Sequence, residues 1–134
     1  MSDTWYRSPA LRGAREAVRM NQRNLAILYQ AGVKIGFGTY SGAFPLRIPG
    51  FAEHRELELM AEAGLPPDAV LSIATGKSAE LLGLKDRGVL QVGKLADFLI
   101  LEGDPIDDIR NAHRIHAVWH RGERVSGPVT DFTP

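Results

Sequence analysis

The sequence predicts an α/β fold, because a long helix leads directly into a buried strand and the helices precede a set of short strands. Apolar residues recur at helical spacing up to Ala31, and Gly32 then ends the helix as a left-handed cap. Residues 33–39 form an apolar run bounded by glycines, which is typical of a strand buried on both faces of a parallel sheet. A helix followed by such a strand is half of a parallel-sheet repeat.

The first helix has a clear start and a one-sided apolar stripe. Ser8 is a good N-cap, and Pro9 stands at the first helical position, where proline is favoured. Spacings of three, four and seven residues place the apolar side chains on one face. They are Leu11, Ala14, Val18, Leu25, Leu28 and Tyr29. We therefore expect an amphipathic helix over residues 9–31.

Three further helices are predicted after a loop at residues 43–50, which contains two prolines. They span residues 53–63, 66–75 and 78–82. Gly64 and Gly83 follow the first and the last of these helices, as expected for C-terminal caps. Leu57 and Met60 mark the buried side of the first.

Short strands and turns replace helices after Arg87. Residues 89–101 read as strand, turn and strand. A helical turn is expected at 106–109, and residues 115–120 form another strand. Arg121-Gly122 is a hairpin turn into residues 123–125. We place a boundary near residues 84–88, which gives regions 8–84 and 88–125, and we expect the tail 126–134 to fray.

Composition narrows the classes of partner. The 134 residues hold 16 Lys and Arg against 16 Asp and Glu, so the net charge is zero, and neither nucleic acid nor a membrane surface is expected as a partner. The absence of cysteine excludes disulfides and thiolate metal sites. No apolar stretch of the sequence approaches the length of a membrane span. A cytoplasmic protein is the expectation.

The order of several segments carries a family resemblance. Gly38-Thr39-Tyr40-Ser41-Gly42-Ala43-Phe44-Pro45 resembles the last barrel strand of the metal-dependent amidohydrolases, near their imidazolonepropionase-related branch. Residues 65–84 resemble the helical part that follows that strand, 88–105 the return into a small β-sandwich, and 118–125 its terminal hairpin. The resemblance implies a C-terminal fragment of a TIM-like (β/α)8 barrel and part of a β-sandwich. A complete barrel takes about 250 residues.

The resemblance also places a site at Tyr40. The family motif reads Gly-Thr-Asp-Ser, and its aspartate binds a divalent metal, zinc or iron, and handles the proton of the attacking water. In this chain the matching residue is Tyr40, whose phenol is longer than a carboxylate. The family's His-x-His, its bridging lysine or glutamate and its two later histidines have no counterpart in the sequence. No metal or other cofactor is therefore expected for this chain.

Other polar residues have functional and structural interpretations. The resemblance makes Ser41, Arg47 and His54 candidates for substrate contacts, because the segment after Pro45 lies over the active-site mouth in the family. Glu53, His54 and Glu56 crowd the start of a helix, where such residues more often cap and solvate the helix than bind metal. His113, His116 and His120 are expected to be surface histidines of a hairpin.

These features imply a family function that this chain does not perform alone. Full-length relatives would hydrolyse a C–N bond of a small amide, cyclic amide or dipeptide with metal-activated water. This chain is expected to be inactive by itself and either to join a complementing barrel half or to self-associate. The alternatives are a non-catalytic subunit or remnant, and a small binding module that acts through the loop 44–51.

Overall fold

The computed structural model describes residues 9–43 and 48–127, with side chains from residue 13 onward. Four helices come first: α1 (Pro9–Gln30), α2 (Phe51–Glu62), α3 (Pro67–Ser72) and α4 (Ser78–Leu81), with a π-helical turn at Ile73–Lys77. Strand β1 (Phe98–Leu101), a 3₁₀-helix (Ile109–His113), β2 (Ile115–His120) and β3 (Glu123–Ser126) follow.

The predicted first helix is confirmed, but only its C-terminal half packs on the core. Helix α1 begins at Pro9, and Gly32 follows it with a φ of 71°. Leu25 and Tyr29 contact the core. Val18 and Leu28, which belong to the same predicted stripe, are 42% and 45% exposed. Part of the apolar face of α1 is therefore uncovered by the described chain.

Residues 33–39, predicted to form a buried strand, do not form one. The segment forms no ladder, and the described part of the chain contains no parallel strand pair. Exposure alternates along it: Ile35 and Phe37 pack on the core, whereas Lys34, Gly36 and Gly38 are exposed. A period of two is that of an extended chain covered on one face. The physical reason is that a strand requires a neighbour, and no described residue supplies one.

Helices α3 and α4 are joined by the π-helical turn, where the sequence predicted a break between 75 and 78. The Ser78 hydroxyl donates to the carbonyl of Ile73 at 2.6 Å and accepts the Phe37 N–H at 2.8 Å. A π-helical turn displaces the regular i→i−4 carbonyl partners. Ser78 therefore satisfies a carbonyl of the widened turn and also ties the 33–39 segment to it.

One apolar core links the helices to the C-terminal region. Leu57, Met60, Leu65, Val70 and Ile73 are buried together with Ile109 and Ala112 of the 3₁₀-helix. The last two residues lie beyond the boundary predicted near 84–88. The division into regions 8–84 and 88–125 stays a prediction.

The sheet is three-stranded and antiparallel in the order β1-β2-β3. Residues 115–120 and the hairpin turn are confirmed, and Arg121 and Gly122 have φ values of 51° and 83°, as a tight hairpin requires. The first strand predicted within residues 89–101 is wrong, because residues 89–94 form no strand, whereas the predicted turn is present, with the Lys94 N–H donating to the Gln91 carbonyl at 3.0 Å. The Asp108 N–H donates to the Asp104 carbonyl at 3.3 Å, a single helical turn close to the one expected at 106–109. The sequence did not predict the 3₁₀-helix that follows, at whose start the Asp108 carboxylate accepts the Arg110 N–H.

No helix in the described residues has the length and apolar character needed to cross a membrane.

Ser78→Ala is expected to lower the free energy of unfolding by about 1–3 kcal/mol, because it leaves the Phe37 N–H and the Ile73 carbonyl without their partner. Urea unfolding of the chain measures this. Ser72→Ala, an exposed serine of α3, is the matched control and should change stability little. Equal effects of the two substitutions would contradict the bridging role of Ser78.

Gly88→Ala should destabilise the chain more than Gly64→Ala, although both glycines have left-handed φ values, 92° and 96°. Left-handed strain costs about 1–2 kcal/mol at either position. At Gly88 an added Cβ would also lie 2.5 Å from Cβ of Ala79, whereas Gly64 has nothing within 4 Å, and such overpacking adds about 1–3 kcal/mol. Thermal unfolding of the two variants checks the difference, and a larger loss for Gly64→Ala would contradict it.

Candidate functional site

Tyr40 stands at the end of the 33–39 segment in an unusual backbone conformation. Its φ is 59°, in the left-handed region that residues with a Cβ seldom occupy, and it is 70% exposed. The phenol is therefore presented at the surface of the described chain. Such a conformation persists only where neighbouring contacts hold it.

Glu53, in the first turn of α2, makes those contacts. Its Oε1 accepts hydrogen bonds from the hydroxyl of Thr39 at 2.9 Å and from the hydroxyl of Ser41, the residues on either side of Tyr40. Its Oε2 accepts the Gly50 N–H at 2.6 Å. The predicted capping role of Glu53 is confirmed by the Gly50 contact, and the two hydroxyls add a tertiary role that joins the Tyr40 turn to α2.

The electrostatics of Glu53 follow from these donors. The Ser41 hydroxyl, then the backbone N–H of Glu53, the Thr39 hydroxyl and the Gly50 N–H lower the pKa of Glu53 to about 2. The carboxylate is thus ionised at the positive end of the α2 dipole. Its lone pairs are taken by donors of the chain, so Glu53 does not replace the family's metal-binding aspartate.

His54 turns toward the C-terminal region. Its ring stacks on the ring of His113 with 4.3 Å between centroids and 26° between planes. The Ser41 hydroxyl, by contrast, donates to Glu53. Ser41 and His54, the two candidate substrate residues that the structure describes, therefore have different contact partners. Arg47 lies outside the described residues. Contacts of Ser41, Arg47 and His54 with a substrate stay predictions.

His113 is an exposed histidine, as predicted, but its predicted place on the hairpin is wrong. It belongs to the 3₁₀-helix, and its Nε2 lies 2.8 Å from Oε1 of Glu58, which also pairs with Arg55 at 2.6 Å. His116 and His120 do lie on β2, where they face the carboxylates of Glu102 at 3.8 Å and Asp97 at 3.1 Å. Sequence spacing misleads here because Arg114 separates the 3₁₀-helix from the strand.

An open groove of about 730 Å³ lies between α1, Tyr40 and α2. Val18 and Leu25 of α1 form one side, and Phe51 and Arg55 of α2 form the other. Apolar groups make up most of the groove's lining and polar groups a smaller part, a composition common in small-molecule sites.

The described residues do not fit the metal that the family resemblance implies. Within residues 9–43 and 48–127, no group of three or more His, Asp or Glu is placed to hold an ion. Tyr40 is an exposed phenol, and the Glu53 carboxylate is occupied by hydrogen bonds. A zinc site needs three or four protein ligands, which this set does not supply.

Glu53→Gln is expected to loosen the Tyr40 turn, because an amide oxygen and an NH₂ group cannot accept all the donors that the carboxylate accepts. Amide exchange of Gly50 and Ser41 should accelerate. The lowered pKa adds a pH dependence: the stabilisation is complete above about pH 4.5, the ordinary pKa, and is lost as the pH falls through about 2.

Glu80→Gln is the control for this prediction, since Glu80 pairs with Lys34 in an exposed contact on α4. Exchange at Gly50 and Ser41 should be the same in that variant as in the parent chain. Unchanged exchange in Glu53→Gln would show that Glu53 does not hold the turn.

Comparison with known proteins identifies the family. A curated 5-methylthioadenosine/S-adenosylhomocysteine deaminase of Bacillus thuringiensis (strain Al Hakam) is 34% identical over 85 residues, which cover 59% of this chain and 20% of the deaminase. The chain thus spans about a fifth of the length of the curated relatives it matches.

Solved structures agree on the fold. A Xaa-Pro dipeptidase with bound methionine superposes with a TM-score of 0.72 at 33% identity, over 79% of this chain and 25% of the dipeptidase. Phenylurea hydrolase B superposes with a TM-score of 0.71 at 30% identity, over 86% of this chain and 29% of the hydrolase. Residues 7–125 match the model of the amidohydrolase family, and the chain belongs to that family.

Proposed function

We propose that this chain forms the C-terminal part of an amidohydrolase (β/α)8 barrel and of its small β-sandwich, and that it is catalytically silent until a second polypeptide completes the barrel. The superposed dipeptidase and hydrolase structures extend far beyond the part that this chain matches. In a closed barrel, each strand has a neighbour on both sides. The missing neighbours would come from the complementing polypeptide.

The observation that carries this proposal is the backbone of the 33–39 segment. From Lys34 to Gly38, the Phe37 N–H is the only peptide group that makes a hydrogen bond within the described chain, and its partner is Ser78. Unpaired N–H and C=O groups along an extended segment form an edge with which another strand can pair. Such an edge suits a segment that receives strands from elsewhere.

The chemistry of the proposed assembly is hydrolysis of a C–N bond. The relatives include a deaminase, a dipeptidase and a phenylurea hydrolase by name. We propose small amides, cyclic amides or dipeptides as the substrate class of the assembly. The complementing polypeptide would bring histidines for zinc or iron, which activates water when bound. In this chain Tyr40 and the turn held by Glu53 would line the mouth of the site.

A binding module is the second candidate function. The groove between α1 and α2 is wide enough for a small ligand, and Phe51, at the end of the loop 44–51, is 64% exposed on its wall. This module would work without a partner, so the two functions differ in the state of the isolated chain.

The test mixes the chain with a Xaa-Pro dipeptidase truncated before the segment that this chain matches. We expect a one-to-one complex by light scattering and slower amide exchange at residues 34–38. Gly38→Pro removes one N–H from the unpaired edge and should abolish the complex. Gly38→Ala, at a position with nothing within 4 Å of an added Cβ, is the matched control and should keep it.

Activity and metal content complete this test. Tyr40→Asp should give no dipeptide hydrolysis alone and metal-dependent hydrolysis in the complex, because the histidines come from the partner. Elemental analysis of the chain alone should find no stoichiometric divalent ion. A compact monomer whose residues 34–38 are protected without a partner would overturn the barrel proposal in favour of the binding module, and so would hydrolysis by Tyr40→Asp alone.

A further inference from the structure

The first turn of α2 and the 3₁₀-helix meet at a pair of stacked imidazole rings. His54 and His113 are far apart in the sequence, but their ring centroids are only 4.3 Å apart. Beside them, Leu57 of α2 is buried in one cluster with Ile109 and Ala112 of the 3₁₀-helix. The imidazole pair thus belongs to a contact between these two elements that also has an apolar part.

The two rings differ in whether a hydrogen-bond acceptor lies near their nitrogens. The Nε2 of His113 lies 2.8 Å from a carboxylate oxygen of Glu58, so a charged His113 has an acceptor. The Nδ1 of His54 is buried and has no hydrogen-bond partner in the described part of the chain. A charged imidazole carries N–H on both nitrogens. Protonation of His54 would therefore leave a buried N–H without an acceptor.

Groups around the pair include some that raise the pKa of His54 and some that lower it. On α2, Glu53 and Glu58 favour the charged form of His54, and Arg55 neutralises Glu58 through their 2.6 Å pair. On the 3₁₀-helix, Arg110 is engaged with Asp108 at 2.6 Å. Burial, followed by the proximity of His113, outweighs the two carboxylates, and the pKa of His54 is lowered.

We propose that the His54–His113 pair is a proton-sensitive joint, which holds the first turn of α2 against the 3₁₀-helix while His54 is neutral and opens when His54 takes up a proton. The joint adjoins the Tyr40 turn, since Glu53, the neighbour of His54, accepts the hydroxyls of Thr39 and Ser41. Opening loosens the helical turn on which that arrangement is built. The joint operates in the chain itself and does not depend on assembly of a barrel.

The direction of the pH effect follows from linkage. A histidine with a lower pKa in the closed joint than in the open one binds its proton more tightly when the joint is open. The joint is therefore at full strength well above about pH 6.5, the ordinary pKa of histidine, and weakens as the pH falls toward the pKa of the closed state.

The experiment follows amide exchange and histidine NMR signals of the 134-residue chain between pH 7.5 and 5. Protection factors, corrected for intrinsic exchange, are read at Gly50, Ala52 and residues 55–57. We expect them to fall by roughly tenfold between pH 7.5 and 5, as His54 takes up its proton. The ring signals of His54 and His113 should lose their mutual ring-current shifts over the same range.

Two variants separate the joint from general acid sensitivity. His54→Phe keeps a ring to stack on His113 and removes the titrating group, so protection should become independent of pH. His120→Phe removes a more exposed histidine, which faces Asp97 on β2, and should behave like the parent chain. The proposal is overturned if His54→Phe keeps the pH dependence, or if protection in the parent chain is constant over this range. The parent titration decides the question should His54→Phe not fold.

Discussion

Pairing of peptide groups is the constraint on which the rest of this structure depends. The 33–39 segment packs one face on the core through Ile35 and Phe37. It lies between a helix and a turn, and no described residue forms a strand that pairs with it. Its Phe37 N–H is satisfied by Ser78 because the π-helical turn brings that hydroxyl to the segment. A side chain thus supplies one of the bonds that a sheet would supply along the whole segment.

Helices and local turns were predictable because their signals lie within a few residues. Helix α1 begins at Pro9 and is followed by Gly32, and Arg121-Gly122 forms the hairpin turn, since helix ends and left-handed turns depend on local chemistry. The 33–39 segment misled because an apolar run reports burial and not pairing. The composition of the segment likewise could not show that the core would cover only one of its faces.

Only part of the candidate site could be predicted from the sequence. Tyr40 was located by its motif, but the carboxylate that holds its turn is Glu53, whose hydroxyl partners precede it by 14 and 12 residues. The spacing of Thr39 and Ser41, two hydroxyls around one residue before an acidic helix start, is the signal that could have indicated it. The His54–His113 contact joins α2 to the 3₁₀-helix far along the chain, and no local pattern predicts a contact of that range.

The backbone at position 40 connects these results to the family. Asp and Asn tolerate the left-handed region better than other residues with a Cβ, so the aspartate of the Gly-Thr-Asp-Ser motif suits such a turn. Tyr40 occupies that conformation without this advantage. The hydroxyls of Thr39 and Ser41, fixed on Glu53, hold both neighbours of Tyr40 and so offset its strain. The flanking residues and α2 therefore hold the turn in which Tyr40 stands.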